Sequence, residues 1–279
     1  MGLFDSIKKL LGGGTNKSRR GAFTPRIAAT TSHYIKNNKI QSEDTRLYLC
    51  DRAEDALSFA RRALNDDREQ GHTFVERFSG AANIPAYWHL AYSAGYPLAE
   101  LAASIDEYLD QLAYYDGVFT KIWTPVKHNR IVDVGSRYPE PLFGLAWLVG
   151  LGASPQQIGR YLPYCGEAGQ DALFDRLVQA LGLDRSVANG LRFPGDYRDT
   201  LAVLDAPAAQ RPALIKTLLP KWFRTRYPDM PMKRPDDPEY VGIWALDIAL
   251  VVMLCEVDDA AFRDAVIYPR DLVDNYRSL

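Results

Sequence analysis

The sequence predicts an all-α fold, built as an irregular bundle of antiparallel helices. Three observations predict it. Apolar residues recur at spacings of three, four and seven through most of the chain, the repeat of one helical face. Period-two alternation never lasts, and no Asn-Gly or Asp-Gly hairpin joins two alternating runs. Polar caps, prolines and glycines stand where helices would begin and end. No exact repeat period is visible, which favours an irregular bundle over a regular solenoid.

The elements follow in order. Leu3, Phe4, Ile7, Leu10 and Leu11 share one helical face, and Gly12, Gly13 and Gly14 end that segment. Pro25 suits the first turn of a helix. Ser42, Glu43 and Asp44 supply the cap and acidic first turn of the next, which carries Leu47, Cys50, Leu57, Ala60 and Leu64 and runs to about Glu69. A third helix is expected over 73–94, with Pro85 inside it and Gly95 closing it. Pro97 opens a fourth, expected to run unbroken through Leu98, Leu101, Ile105, Tyr108, Leu109 and Leu112. Shorter helices are expected over 140–151, 155–162, 167–181, 196–204 and 207–222, and Ser154-Pro155 is the clearest helix start among them. Pro228, Pro231, Pro235 and Pro238 demand an extended loop. A last long helix is expected over 240–256 and a short one over 258–265. The expected organisation is a leader over 1–22, a helical region over 23–124 and a second over 125–279.

Composition narrows the function classes. Apolar residues make up 47% of the 279, enough for a real core, and the formal net charge is -2, which argues against bulk attraction to nucleic acid. Recognition by charge must therefore use a local patch. Three separated cysteines, Cys50, Cys165 and Cys255, fit reduced thiols in a cytoplasm, and Cys50 and Cys255 read as small core residues. The four histidines, His33, His72, His89 and His128, form no helical zinc pair, and His89 reads as a satisfied core or groove histidine. The run from Ile243 to Cys255 is too short for a bilayer and is interrupted by Asp247. Met1 to Ser6 matches a myristoylation pattern, but the segment reads as a leader or a self-docked helix rather than a membrane contact.

No catalytic motif is found. Lys17-Ser18 after three glycines is no phosphate loop, because Leu11 and Asn16 stand where both of its glycines must be, and neither a nucleophile elbow nor a dinucleotide fingerprint occurs. The expectation is no catalytic residue, no metal and no cofactor. Asp247, an acid inside an apolar helix, requires an Arg, a Lys or a hydrogen-bonding partner. The acidic clusters are the binding candidates: Asp106, Glu107 and Asp110 on one helix, and Asp236, Asp237 and Glu239 in the proline-rich loop. Glu43, Asp44, Asp51, Glu54 and Asp55, then Asp66, Asp67 and Glu69, decorate another helix. Each cluster has two readings, a solvated face or a contact for a basic partner.

The C-terminal part then becomes specific. Tyr240, Gly242, Trp244 and Asp247, the pair Asp258-Asp259, and Tyr268-Pro269-Arg270-Asp271-Leu272 resemble the C-terminal region of the PoNi family, the immunity proteins of PoNe-type DNase toxins. Arg137-Tyr138-Pro139 resembles the family's middle region, and Tyr92-Ser93-Ala94-Gly95 its N-terminal half. Ile243 stands where the family has an aromatic residue, and Asp247 where it has Glu. The resemblance implies an immunity protein that binds and neutralises a DNase delivered by a secretion system (type VI), with a protein partner and no direct nucleic-acid contact. Read as residues, Tyr240, Gly242 and Trp244 are packing groups, Gly242 admits a close helix approach, Tyr268-Pro269 makes a rigid turn and Asp271 caps the final helix. Two other readings stay open: a helical adaptor or chaperone, and a helical enzyme with an unrecognised pocket.

Overall fold

Apolar stripes without alternation give helices here and, among the described residues, no strand. The computed structural model describes residues 43–70, 83–122, 139–227 and 242–279. The expectations for the leader, for the loop acids Asp236, Asp237 and Glu239, for Tyr240, for Arg137-Tyr138, and for His33, His72 and His128 lie outside those residues. The chain divides into two units. One holds the described residues up to Ile122 together with Gly242; the other holds the described residues from Pro139 to Tyr227 and from Ile243 onward.

In the first unit, helix α1 (Glu43–Gln70) buries Leu49, Ala53, Ala56 and Ala60, a stripe of mostly small side chains. That stripe lets α2 (Asn83–Ala94) pack close against it. From Ile84 onward α2 is buried on every face. It ends in a Schellman turn: Gly95 takes a positive φ of 88°, Gly95 N donates to the Tyr92 carbonyl, and Tyr96 N donates to the Ala91 carbonyl.

The helix expected to run unbroken from Pro97 is instead two, α3 (Leu98–Ala102) and α4 (Ile105–Ile122). Ser104 breaks it. Its hydroxyl donates to the Leu101 carbonyl at 2.8 Å, and the Trp88 indole N–H points at both that carbonyl and the Ser104 hydroxyl, at 3.1 and 2.8 Å. A buried indole needs such a partner, and the chain bends to supply one.

In the second unit, α5 (Pro139–Gly150) and α10 (Leu246–Leu254) pack against each other as its central pair. Around them lie α6 (Pro155–Tyr161), α7 (Ala172–Ala180), α8 (Pro194–Asp205), α9 (Arg211–Arg226) and α11 (Arg270–Ser278). The Ser154 cap is a full capping box with Gln157, as Ser154-Pro155 suggested. Gly150 is where α11 approaches closest, since a Cβ there would lie 2.4 Å from the Leu272 Cγ.

Four expectations change. Helix α7 starts at Ala172, where Asp171 caps it by accepting from Phe174 N at 2.9 Å. Helix α9 runs past Trp222 to Arg226, through Pro220. Helix α10 starts at Leu246, not at 240: Gly242 has a φ of 87°, and Ala245 N donates to the Ile267 carbonyl instead of a helical one. Residues 258–265 form turns rather than a helix, because Asp259 is drawn into a buried ionic cluster.

Candidate partner-binding surface

Helix α4 shows how an amphipathic segment makes a surface. Ile105, Tyr108, Leu109 and Leu112 are buried, so Asp106 and Asp110, one turn apart, are turned outward and exposed. Glu107 is half-buried and already engaged: Arg61 of α1 donates through Nε and Nη2 to its two oxygens at 3.0 and 3.1 Å. The hydrogen bond to Glu107 raises the Arg61 pKa above its ordinary value. Glu107 is thus a tie between helices, and Asp106 and Asp110 are the outward acids of the predicted trio.

A second tie, from Gln111 Nε2 to the Ala60 carbonyl at 3.3 Å, keeps α1 alongside. On α1 the exposed Asp51, Asp55 and Phe59 follow one another at intervals of one turn, with Arg62 nearby. Phe59 keeps 39% of its surface exposed and was missed from the sequence. Its signal was there: it falls between two polar turns, off the Ala53-Ala56-Ala60 stripe. Outward acids beside an outward aromatic form a surface able to meet a basic protein. Asp106 and Glu107 also lie in the first turn of α4, where carboxylates favour the helix dipole.

Among the described signature residues, Trp244, Asp247, Tyr268 and Pro269 are buried. Asp247 is fully buried and accepts three hydrogen bonds, from Trp222 Nε1 at 2.7 Å, Thr200 Oγ1 at 2.8 Å and Arg226 Nη2 at 2.8 Å. The Arg226 guanidinium lies over the Tyr197 ring, 4.3 Å from its centroid. Burial works most strongly against the Arg226 cation, but the charge and hydrogen bond of Asp247, together with Tyr197 and Asp196, outweigh it and hold the pKa above the ordinary value. Burial, aided by the same Asp247 charge, pushes the Tyr197 phenol well up. The partner that the sequence demanded for Asp247 is therefore Arg226, with Thr200 and Trp222.

A second inward cluster surrounds Asp259. Its Oδ2 accepts from the Tyr268 hydroxyl at 3.0 Å, Arg263 at 2.9 Å and Arg277 at 3.0 Å. Burial, then the Asp259 charge, raises the Tyr268 pKa. Trp244 is buried, and Gly242 takes a left-handed backbone conformation, with a φ of 87°. Its carbonyl meets His89 Nε2 at 3.0 Å, so Nε2 carries the proton. Burial lowers the His89 pKa to about 4. Asp271 is not the cap expected of it: Pro269 holds that position, and Asp271 lies in the first turn of α11.

Among the described residues no group of three His, Cys, Asp or Glu side chains is placed to hold a metal ion, and no helix is long and apolar enough to cross a membrane. Cys50 and Cys165 are buried; Cys255 is half-buried, and burial raises its pKa.

Residues 169–272 match the family of PoNe immunity proteins (PoNi), C-terminal. The PoNi resemblance holds over this stretch. The stretch contains Asp247 with all three of its donors, and Asp259 with Tyr268 and Arg263. Tyr92 to Gly95 and Arg137 to Pro139 lie before the matched residues. None of the curated proteins matches the chain. Among solved structures, the crystal structure of protein PA2201 from Pseudomonas aeruginosa is similar in fold, with a TM-score of 0.62 at 18% identity, covering 99% of this chain and 97% of that one.

Proposed function

We propose that this chain is an immunity protein that binds and neutralises a DNase toxin of the PoNe kind. The observation that carries the reading is the match of residues 169–272 to PoNe immunity proteins. Inhibition is stoichiometric. A nuclease presents a basic surface to DNA, and the outward carboxylates Asp106 and Asp110, with Asp51, Asp55 and Phe59, supply a surface of opposite charge with an aromatic anchor. The loop acids Asp236, Asp237 and Glu239 are proposed as further contacts. The inward clusters around Asp247 and Asp259 hold the scaffold.

The test is a DNA-cleavage assay with the nuclease encoded next to this chain, titrated with the purified protein. Cleavage is expected to stop at one equivalent, with a complex that co-elutes on size exclusion. Unimpeded cleavage and no complex would remove the reading.

A further inference from the structure

An apolar groove of about 530 Å³ runs between α9 and the turn over 260–267. Leu219, Pro220 and Phe223 form one wall, and Phe262, Val266 and Ile267 the other. Both walls fall inside the matched residues 169–272. Its size suits a few apolar side chains of an incoming segment.

Two features say what that segment carries. Three charged residues line the groove: Arg263, Asp264 and Lys216. Arg263 is held by Asp259 and Asp274, and Asp264 by Arg270. Lys216 is exposed, makes no ion pair among the described residues, and has no acid on its own helix. The groove thus keeps one uncompensated positive charge. The second feature comes from Pro220. It has no N–H, so the Lys216 carbonyl one turn earlier loses the donor that any other residue would give it. A cation and a carbonyl without its usual helical donor therefore stand together at one apolar wall.

We propose that this groove takes an apolar segment of the toxin protein that carries a carboxylate, with the carboxylate on Lys216 and an N–H of the segment donating to the Lys216 carbonyl. This rests on the immunity reading and adds the place where the PoNi-type stretch touches its partner.

Calorimetric titration of the neighbouring nuclease into four proteins tests it: the wild type, Ala261→Trp, Lys216→Glu and Pro220→Ala. Ala261 is exposed at the groove, so tryptophan there fills it without entering the core. The expected loss of affinity is about a hundredfold for Ala261→Trp and about tenfold for each of the others. Pro220→Ala returns the missing donor, so its Tm rises while its binding weakens, which a folding defect would not produce. Wild-type binding kept within about twofold in all three variants would overturn the groove and leave the immunity reading standing. No binding by the wild type would overturn both. Two control arms also decide against a toxin segment: phosphatidylcholine–phosphatidylglycerol vesicles bound by the wild type but not by Ala261→Trp, or wild-type dimers in sedimentation that Ala261→Trp dissolves.

Discussion

The two units use charge in opposite ways. The second unit buries ionised groups and gives two buried carboxylates cationic partners, Arg226 at Asp247, and Arg263 and Arg277 at Asp259. The first unit turns Asp51, Asp55, Asp106 and Asp110 outward on α1 and α4, ties the two helices through Arg61–Glu107, and keeps a buried histidine neutral. Removing a buried, paired charge strands its partner in a low dielectric, whereas removing an exposed one returns its neighbours to water. The second unit's charges therefore define where helices go, whereas the exposed carboxylates of the first unit carry less of its stability.

Breaking the Asp247 hub is expected to have the largest effect. Asp247→Ala leaves Arg226 buried without its carboxylate and strips Thr200 and Trp222 of an acceptor, so stability should fall by about 3–5 kcal/mol. Urea unfolding followed by tryptophan fluorescence measures it. The double variant Asp247→Leu with Arg226→Met is expected to recover much of the loss, because an apolar pair of similar volume avoids the desolvation altogether. No recovery would mean that the hub sets helix placement through the Thr200 and Trp222 bonds rather than through the ion pair.

That hub also marks how much was legible in advance. An acid within an apolar run announced a buried partner, because an unpaired charge there is untenable. Which partner it would be was not legible: Arg226 is 21 positions away, and only the packing of α9 on the unit brings it there. Helix starts with local chemistry, such as Ser154-Pro155 and Gly95, could be read directly. Breaks that depend on a distant side chain could not, as with Ser104 beneath Trp88, or Ala245 bonded to the Ile267 carbonyl. On the acidic surface, the outward aim of Asp106 and Asp110 followed from helical phase. The capture of Glu107 by Arg61 needed the fold, since the two are 46 residues apart.

The first unit has its own buried titratable group, and it should make that unit acid-sensitive. Folded, His89 takes a proton only near pH 4; unfolded, it does so near its ordinary value of 6.5. Between those values the unfolded chain holds the extra proton, so stability is complete above the upper value and is lost as pH falls toward the lower one. The loss is on the order of 3 kcal/mol at about 1.4 kcal/mol per pKa unit. Denaturant midpoints measured across that range check it. His89→Gln keeps an N–H for the Gly242 carbonyl and should flatten the profile; an unchanged slope would put the acid sensitivity elsewhere.

A smaller effect concerns a strained turn in the second unit. Helix α10 ends as α2 does, with Val257 N donating to the Val252 carbonyl, but its left-handed residue is Glu256, with a φ of 49°. Side chains with a Cβ pay roughly 1–2 kcal/mol in that conformation. Glu256 is exposed and its side chain packs against little, so Glu256→Gly is expected to stabilise the protein by about 1 kcal/mol, read as a rise in urea midpoint at unchanged m value.

The smallest structural effect is expected at the outward acids of α4, where the proposed contact makes a functional one. Replacing Asp106 and Asp110 together by lysine removes no buried contact, since both are exposed on the outer side of α4. The change places positive charge near the helix start, which costs a little, so Tm should fall by no more than about 2 °C. Inhibition of the nuclease should weaken by about tenfold or more, most of it at low ionic strength, because opposed charges now meet across the contact. The matching control reverses Glu107 instead: it frees Arg61 and lowers stability more than it lowers inhibition. Should the two variants rank the other way, with Asp106 and Asp110 silent in inhibition, the outward acids of α4 would be a solvated face and the partner would be met by other residues.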